Sequence, residues 1–179
     1  MRKLLVVAVV AVTGLLVAAS TAAAHSRSHS HSSSKCDGTF VGKTFEKDVV
    51  VPPNGVCILL GSRVRGNVKA QKDSYFQADN SRIGGSVKGD EAQTLFIADG
   101  TRVKGGIRGD ATIQVFVFHS KVTNDIDVVE ATDQIFICGT TVTKGDIEVQ
   151  DSSRNILVGN PLAADCPGNS GGNACPIWF

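Results

Sequence analysis

Two rows of cations recur along the chain at intervals close to twenty residues. Arg63, Arg82, Arg102 and Lys121 each stand one position before a Val or Ile. Lys69, Lys88 and Arg108 form a second row, which Asp127 and Glu148 continue with the opposite sign. Like charges stacked in register repel one another. Such rows therefore invite an anionic polymer, either a wall polyanion or an acidic glycan; the alternative is a solvated face with counterions. No aromatic residue interleaves with the basic rows, which argues against single-stranded nucleic acid. The formal net charge of +1 adds no bias toward nucleic acid.

Other candidates for chemistry are sparse. Asp79 and Asp99 fall at one repeat position, and Asp90 and Asp110 at another. Extracellular carboxylate pairs can bind calcium weakly, but Asp is also an ordinary turn residue. His25, His29 and His31 lie in a Ser-rich stretch, where imidazoles on a mobile chain can chelate a metal; the alternative there is a solvated spacer. His119 is the remaining histidine. The tripeptide Arg108-Gly109-Asp110 matches an integrin motif but sits at a repeat position. No histidine, arginine and carboxylate group converges. The expectation is a chain with no catalytic residue, no cofactor and no dedicated metal site.

The five cysteines are Cys36, Cys57, Cys138, Cys166 and Cys175. All follow an apolar leader, and an exported chain can oxidise them. Cys166 and Cys175 enclose a Gly/Asn/Ser loop and are expected to bond. Cys36 and Cys57 could tie an N-terminal cap to the first coil. That leaves Cys138 as a buried thiol.

The elements that must position these residues repeat with the same period. Words beginning at Val56, Tyr75, Leu95, Val115, Ile135 and Ile156 are spaced by 19, 20, 20, 20 and 21 residues. Second words follow at Val64-x-Gly66-x-Val68, Ile83-x-Gly85-x-Val87, Val103-x-Gly105-x-Ile107 and Val122-x-Asn124-x-Ile126. Short period-2 stretches punctuated by Gly, Asp, Asn and Ser read as strands and turns. A fixed period of this length is the signature of a solenoid. The expected fold is all-β, a single-stranded right-handed parallel β-helix of about six coils with 19–21 residues per coil. The handedness follows from the usual sense of parallel crossovers.

Alignment on the apolar word suggests an inside and an outside. Phe76, Phe96, Phe116 and Phe136 fall in one row, expected to stack in the core. Val56, Tyr75, Leu95, Val115, Ile135 and Ile156 then face outward, with Ile58, Ile97, Val117, Ile137 and Val158. Together they form a flat apolar stripe. It either carries self-association or is covered by the N-terminal segment or the tail Cys175-Pro176-Ile177-Trp178-Phe179.

The ends of the chain differ in composition from this repeat. Residues 1–24 combine a basic start, an apolar run from Leu4 to Ala18 and an A-x-A site, and read as a signal peptide. Removal would leave no membrane span. Residues 25–35 read as a Ser/His-rich flexible linker, 36–160 as the β-helix domain with its cap, and 161–179 as a cysteine-containing tail. From Ser62 to Arg108 nine Lys/Arg oppose five Asp/Glu, a net of +4. From Gly109 to Asp151 two oppose eight, a net of −6. The solenoid is polarised along its length.

The stretch VVVPPNGVCILLGSRVRGNVKA, with the patterns VPP-x-G-x-C, G-x-x-V-x-G-x-V and ICGTTV, resembles small secreted β-helix proteins of uncharacterised function found in actinobacteria. The resemblance covers most of Val49 to Gly159. The V-x-G-x-V coils are more distantly similar to bactofilins, which polymerise into filaments. The resemblance supplies no reaction or catalytic residue. The functional expectation is a secreted, non-enzymatic structural protein of the cell envelope or extracellular space that self-associates as a homo-oligomer. The alternatives are a binding module for an anionic envelope polymer, acting through the basic rows, and a carbohydrate-active enzyme.

Overall fold

The structure is a computed structural model that describes residues 33–152 and 156–159. Every regular element among them is a strand, and all strand pairs are parallel. The chain passes through three sheets in strict rotation, so each turn contributes one strand to each. The first sheet contains β1 (Ser34–Lys35), β4 (Val49–Val51), β7 (Val68–Ala70), β10 (Val87–Asp90), β13 (Ile107–Asp110), β16 (Ile126–Val129) and β19 (Ile147–Gln150). The second contains β2 (Gly38–Val41), β5 (Val56–Leu60), β8 (Tyr75–Asp79), β11 (Thr94–Ala98), β14 (Gln114–Phe118), β17 (Gln134–Cys138) and β20 (Ile156–Gly159). The third contains the two-residue strands β3 (Thr44–Phe45), β6 (Arg63–Val64), β9 (Arg82–Ile83), β12 (Arg102–Val103), β15 (Lys121–Val122) and β18 (Thr141–Val142). This is a parallel β-solenoid of about six turns, as the period near twenty predicts.

One boundary differs from the sequence reading. The first turn begins at Ser34, so Ser34 and Lys35 are strand residues paired with Val49 and Val50 rather than linker. Its second-sheet strand, Gly-Thr-Phe-Val, lacks the long apolar word that marks the other turns. The leader and the histidines at 25, 29 and 31 lie outside the described residues, as do Cys166 and Cys175.

The larger difference is one of parity. Tyr75 pairs with Thr94, not Leu95, so the structural interval here is 19 residues rather than 20. A slip of one residue exchanges the two faces of a strand. The inner rows are therefore Cys57, Phe76, Leu95, Val115, Ile135 and Leu59, Ala78, Ile97, Val117, Ile137. All ten are at most 1% exposed. The expectation that Phe96, Phe116 and Phe136 stack in the core is thus corrected; of that row only Phe76 is inside. Leu95, Ile97, Val115, Val117, Ile135 and Ile137, expected in the outer stripe, are core. Ile156 and Val158 continue the inner rows into the last described turn, where they remain 48% and 46% exposed. Of the expected stripe, Val56, Ile58 and Tyr75 do face out.

Packing explains the choice. The core is thin, and stacked aliphatic side chains fill it at crystal-like density. A Cβ added to Gly89 would meet Leu95 Cδ1 at 2.9 Å, and one added to Gly109 would meet Val115 Cγ2 at 3.0 Å. The first sheet thus gives up side-chain volume where the second places Leu95 and Val115. Three stacked phenylalanines in the same space would overpack it.

One corner has its own polar ladder. Ser62, Ser81, Thr101, Ser120 and Thr140 are buried just after the second-sheet strands. Each hydroxyl lies within hydrogen-bond reach of a carbonyl of the preceding turn: Ser62 of Phe40 at 2.9 Å, Ser81 of Leu59 at 3.2 Å, Thr101 of Ala78 at 2.9 Å, Ser120 of Ile97 at 3.5 Å and Thr140 of Val117 at 3.1 Å, while Ser81 and Ser120 lie nearer the Asp79 and Phe118 carbonyls of their own turn, at 2.9 and 2.7 Å. Ser81 Oγ and Thr101 Oγ1 also accept the amide N–H groups of Ser62 and Ser81. Buried polar groups of the bend are satisfied from turn to turn. The preceding residue adopts a left-handed conformation, filled by Gly61, Asn80, Gly100, His119 and Gly139 in successive turns.

The N-terminal end of the core is closed by Phe40 and Phe45, in edge contact with centroids 5.3 Å apart, and by a Cys36–Cys57 disulfide with Cα atoms 5.4 Å apart. Cys138 is a buried thiol.

Candidate functional site: an apolar face and a cationic groove

Reversed parity puts phenylalanines outside, and together they make a surface. The outward positions of the second sheet run in three columns. The first holds Val56, Tyr75, Thr94, Gln114 and Gln134; the second Thr39, Ile58, Gln77, Phe96, Phe116 and Phe136. The third holds Val41, Leu60, Asp79, Ala98, Phe118 and Cys138, of which the small Ala98 and Cys138 are buried. Ring centroids of Phe96 and Phe116 are 5.9 Å apart, and those of Phe116 and Phe136 5.7 Å. Phe118 packs beside this stack, 5.9 Å from Phe96 and 6.1 Å from Phe116. Contacts of this kind add about 0.5–1.5 kcal/mol each beyond burial, so the four rings stabilise one another as a cluster on the sheet. Toward the N-terminal end the face is aliphatic, with Val41 76% and Val56 44% exposed.

Polar groups reach across all three columns only along β8. Tyr75 Oη donates to Gln77 Oε1 at 2.8 Å, and Gln77 Nε2 donates to Asp79 Oδ2 at 2.6 Å. The other carboxylate oxygen, Asp79 Oδ1, is buried without a hydrogen-bond partner. Partial burial raises the Tyr75 phenol above its ordinary 10.0, with the Asp79 charge adding to the effect.

The third sheet carries the first basic row. Arg63, Arg82, Arg102 and Lys121 pair in direct succession. They are exposed, and with Arg65 and Lys104 they line an open groove of about 670 Å³ whose floor includes Gly84 and Thr123. Among the described residues no carboxylate and no aromatic side chain lines it.

The second basic row lies on the first sheet, and two of its three cations, Lys69 and Arg108, are ion-paired. Lys69, Lys88 and Arg108 pair in succession, then meet Asp127 and Glu148. Lys69 Nζ lies 2.9 Å from Asp90, and Arg108 lies 3.3 Å from Asp127 and 3.7 Å from Asp110. The Lys69 hydrogen bond holds Asp90 below its ordinary 3.8. The seven cations of the candidate set are therefore divided between two sheets, and among the described residues the four of the first row form a column without ion pairs.

The remaining candidates resolve into local structure. Asp90 and Asp110 do pair, but Asp79 pairs with Leu60 and Ala98 rather than stacking on Asp99. Arg108-Gly109-Asp110 is extended strand with Gly109 buried. His119 occupies the left-handed corner position, where a Cβ on Gly139 would strike its ring. Among the described residues no three His, Cys, Asp or Glu side chains are grouped to hold a metal ion, and no helix is long and apolar enough to cross a membrane.

The aromatic surface of Phe96, Phe116, Phe118 and Phe136 had one signal in the sequence, the Ser/Thr corner positions. Counting back five residues from Ser62, Ser81, Ser120 and Thr140 reaches Cys57, Phe76, Val115 and Ile135, all of them inside. The same count marks Phe116 and Phe136 as outward. Only Thr101 breaks the rule: Asp99 and Gly100 both take left-handed conformations before it, and the added residue shifts the inner position from Phe96 to Leu95. No protein-family model, curated protein or solved structure matches this chain.

Proposed function

We propose that this protein is a secreted, non-enzymatic structural element that self-associates through the outer face of its second sheet. The observation that carries the reading is the Phe96–Phe116–Phe136 column, with ring centroids 5.9 and 5.7 Å apart, and Phe118 beside it. Seven strands at about 4.8 Å and five residues at about 3.3 Å give a footprint of roughly 29 by 13 Å, about 380 Å². That is within the range of functional patches on soluble proteins and below the roughly 800 Å² per partner of a stable complex. The pairing is therefore weak and concentration-dependent.

The occupant is a second copy, related by a twofold axis that lies in the interface along β11. A symmetric pair uses one patch on both partners. This axis reverses the order of the rungs, so the aliphatic half of one face lies on the aromatic half of the other. It also sets the N-terminal half, net +4 from Ser62 to Arg108, beside the C-terminal half, net −6 from Gly109 to Asp151. Each column faces its own counterpart. Phe96 then meets Phe96 of its mate, Ile58 meets Phe136, and the Tyr75 phenol meets Gln114, whose amide can bond it. Export is supported by the leader-like residues 1–24 and by the Cys36–Cys57 bond, which suits an oxidising compartment.

Light scattering on Phe116→Lys with Phe136→Lys tests the reading. Both side chains are outward, so circular dichroism stays that of the wild type while the dimer mass falls to that of a monomer. An unchanged mass would reject this face as the contact.

A further inference from the structure

We infer that the groove on the third sheet binds an extended acidic glycan, laid along the solenoid axis with one carboxylate per rung. Three observations lead there. Arg63, Arg82, Arg102 and Lys121 occupy consecutive rungs in register, so their charges recur about every 4.8 Å over about 14 Å. None of the four has an ion pair among the described residues, whereas Lys69 and Arg108 of the other row do. A parallel column, Arg65 and Lys104, borders the same groove, and of the six cations only Arg65 has an acidic neighbour, Glu46 at 2.9 Å.

A like-charged column in register costs the fold stability, and a bound anion would relieve that cost. The shape between the columns is set by Gly84, where a Cβ would overlap the Arg65 carbonyl oxygen. The floor stays low in the turn between Arg65 and Lys104, and an extended chain can lie flat over it.

The geometry selects among polyanions. Guanidinium groups grip carboxylates through paired hydrogen bonds, and three of the four first-row cations are arginines. In a polyuronate each sugar carries one carboxylate, and an extended chain repeats its charge at nearly the rung interval. Single-stranded nucleic acid is held largely by stacking its bases on aromatic rings, and among the described residues this groove has none. Among the described residues the stacked aromatic rings lie on the second sheet.

The test is calorimetric titration of the full chain with polygalacturonate, with polyphosphate, single-stranded DNA and neutral dextran as comparison probes. Binding to polygalacturonate is expected at about 0.1 M salt and should be lost near about 1 M, where the screening length falls from about 10 Å to about 3 Å. Arg82→Gln with Arg102→Gln should weaken it about tenfold or more, since a charge-assisted hydrogen bond contributes on the order of one decade. Lys69→Gln with Lys88→Gln, on the first sheet, should leave it unchanged. Should the first pair prove misfolded by circular dichroism, Arg63→Gln with Lys121→Gln reads the same column. No binding at the lower salt, equal loss in the first-sheet variant, or preference for polyphosphate or DNA over polygalacturonate would each overturn the assignment.

Discussion

Phe96 lies directly over Gln77 in the parallel ladder, one position out of step with Phe76. That relationship decides which side of the second sheet is core and which is surface. It follows that Leu95 and Phe96, adjacent in sequence, should answer substitution in opposite ways. Leu95→Ala removes a fully buried side chain packed against the Gly89 gap and should cost about 2–5 kcal/mol in urea unfolding. Phe96→Gln installs the residue that Gln77 already supplies one rung below; it gives up two ring contacts, about 1–3 kcal/mol together, and should cost less than Leu95→Ala. The reverse order would restore the aromatic core.

The corner hydroxyls give a second expectation. Thr101 Oγ1 donates to the Ala78 carbonyl at 2.9 Å and accepts the Ser81 amide at 3.2 Å, in a site with no solvent access. Thr101→Val keeps the volume and leaves two backbone groups unsatisfied. It should lower stability by about 1–3 kcal/mol. Thr101→Ser should recover most of this, because Ser62, Ser81 and Ser120 fill the same position in other turns. Equal loss in both variants would assign the effect to packing.

The solenoid itself was legible because its signal is redundant. Six copies of an apolar word at a nearly fixed period specify stacked coils whichever way each strand faces. Parity was not legible in the word, because it is apolar at both inward and outward positions. Leu95, Phe96 and Ile97 offer no polar residue to mark the solvent side. The alternation is plainest in β8, where Tyr75, Gln77 and Asp79 face out, and the interval from there to β11 is 19 residues rather than the 20 that matching Tyr75 to Leu95 implies. The basic column was legible since Arg63, Arg82, Arg102 and Lys121 keep a constant offset from buried Val and Ile. That it lies on a different sheet from the row of Lys69, Lys88 and Arg108 was not, because assigning rows to sheets requires the corners. The first turn escapes notice because Gly38–Val41 carries only Phe40 and Val41 as large apolar residues.

The disulfide closes the end of the core that Phe40 and Phe45 cover. Its cysteines are 21 residues apart, and a loop of that size is worth about 3 kcal/mol in the chain-entropy account. Cys36→Ser with Cys57→Ser should lower the denaturation midpoint accordingly and leave the association of the second-sheet face intact. Peptide mapping without reduction should recover Cys36 joined to Cys57. A bond from Cys57 to Cys138 would contradict the stacked turns, which set these residues about four rungs, about 19 Å, apart.

Tyr75 is the only tyrosine, so absorbance titration reads it alone. Its phenol is raised above 10.0, first by burial and then by the Asp79 charge. A raised value means that the unfolded chain gives up this proton more readily than the folded one. The stability linked to it is therefore complete below the unfolded value near 10 and declines as pH rises toward the folded one. Asp79→Asn should move the titration part of the way back. A midpoint at the ordinary value in the wild type would place Tyr75 in open solvent.

Sedimentation equilibrium of the full wild-type chain across a broad concentration range decides whether the outer face of the second sheet joins two copies. A reversible rise from monomer to dimer mass is expected at micromolar concentrations. It should persist in high salt, because the contact is apolar, and be absent in Phe116→Lys with Phe136→Lys. A monomer mass throughout, with residues 161–179 protected from protease, would show that the aromatic face is covered by the chain's own tail and would contradict self-association.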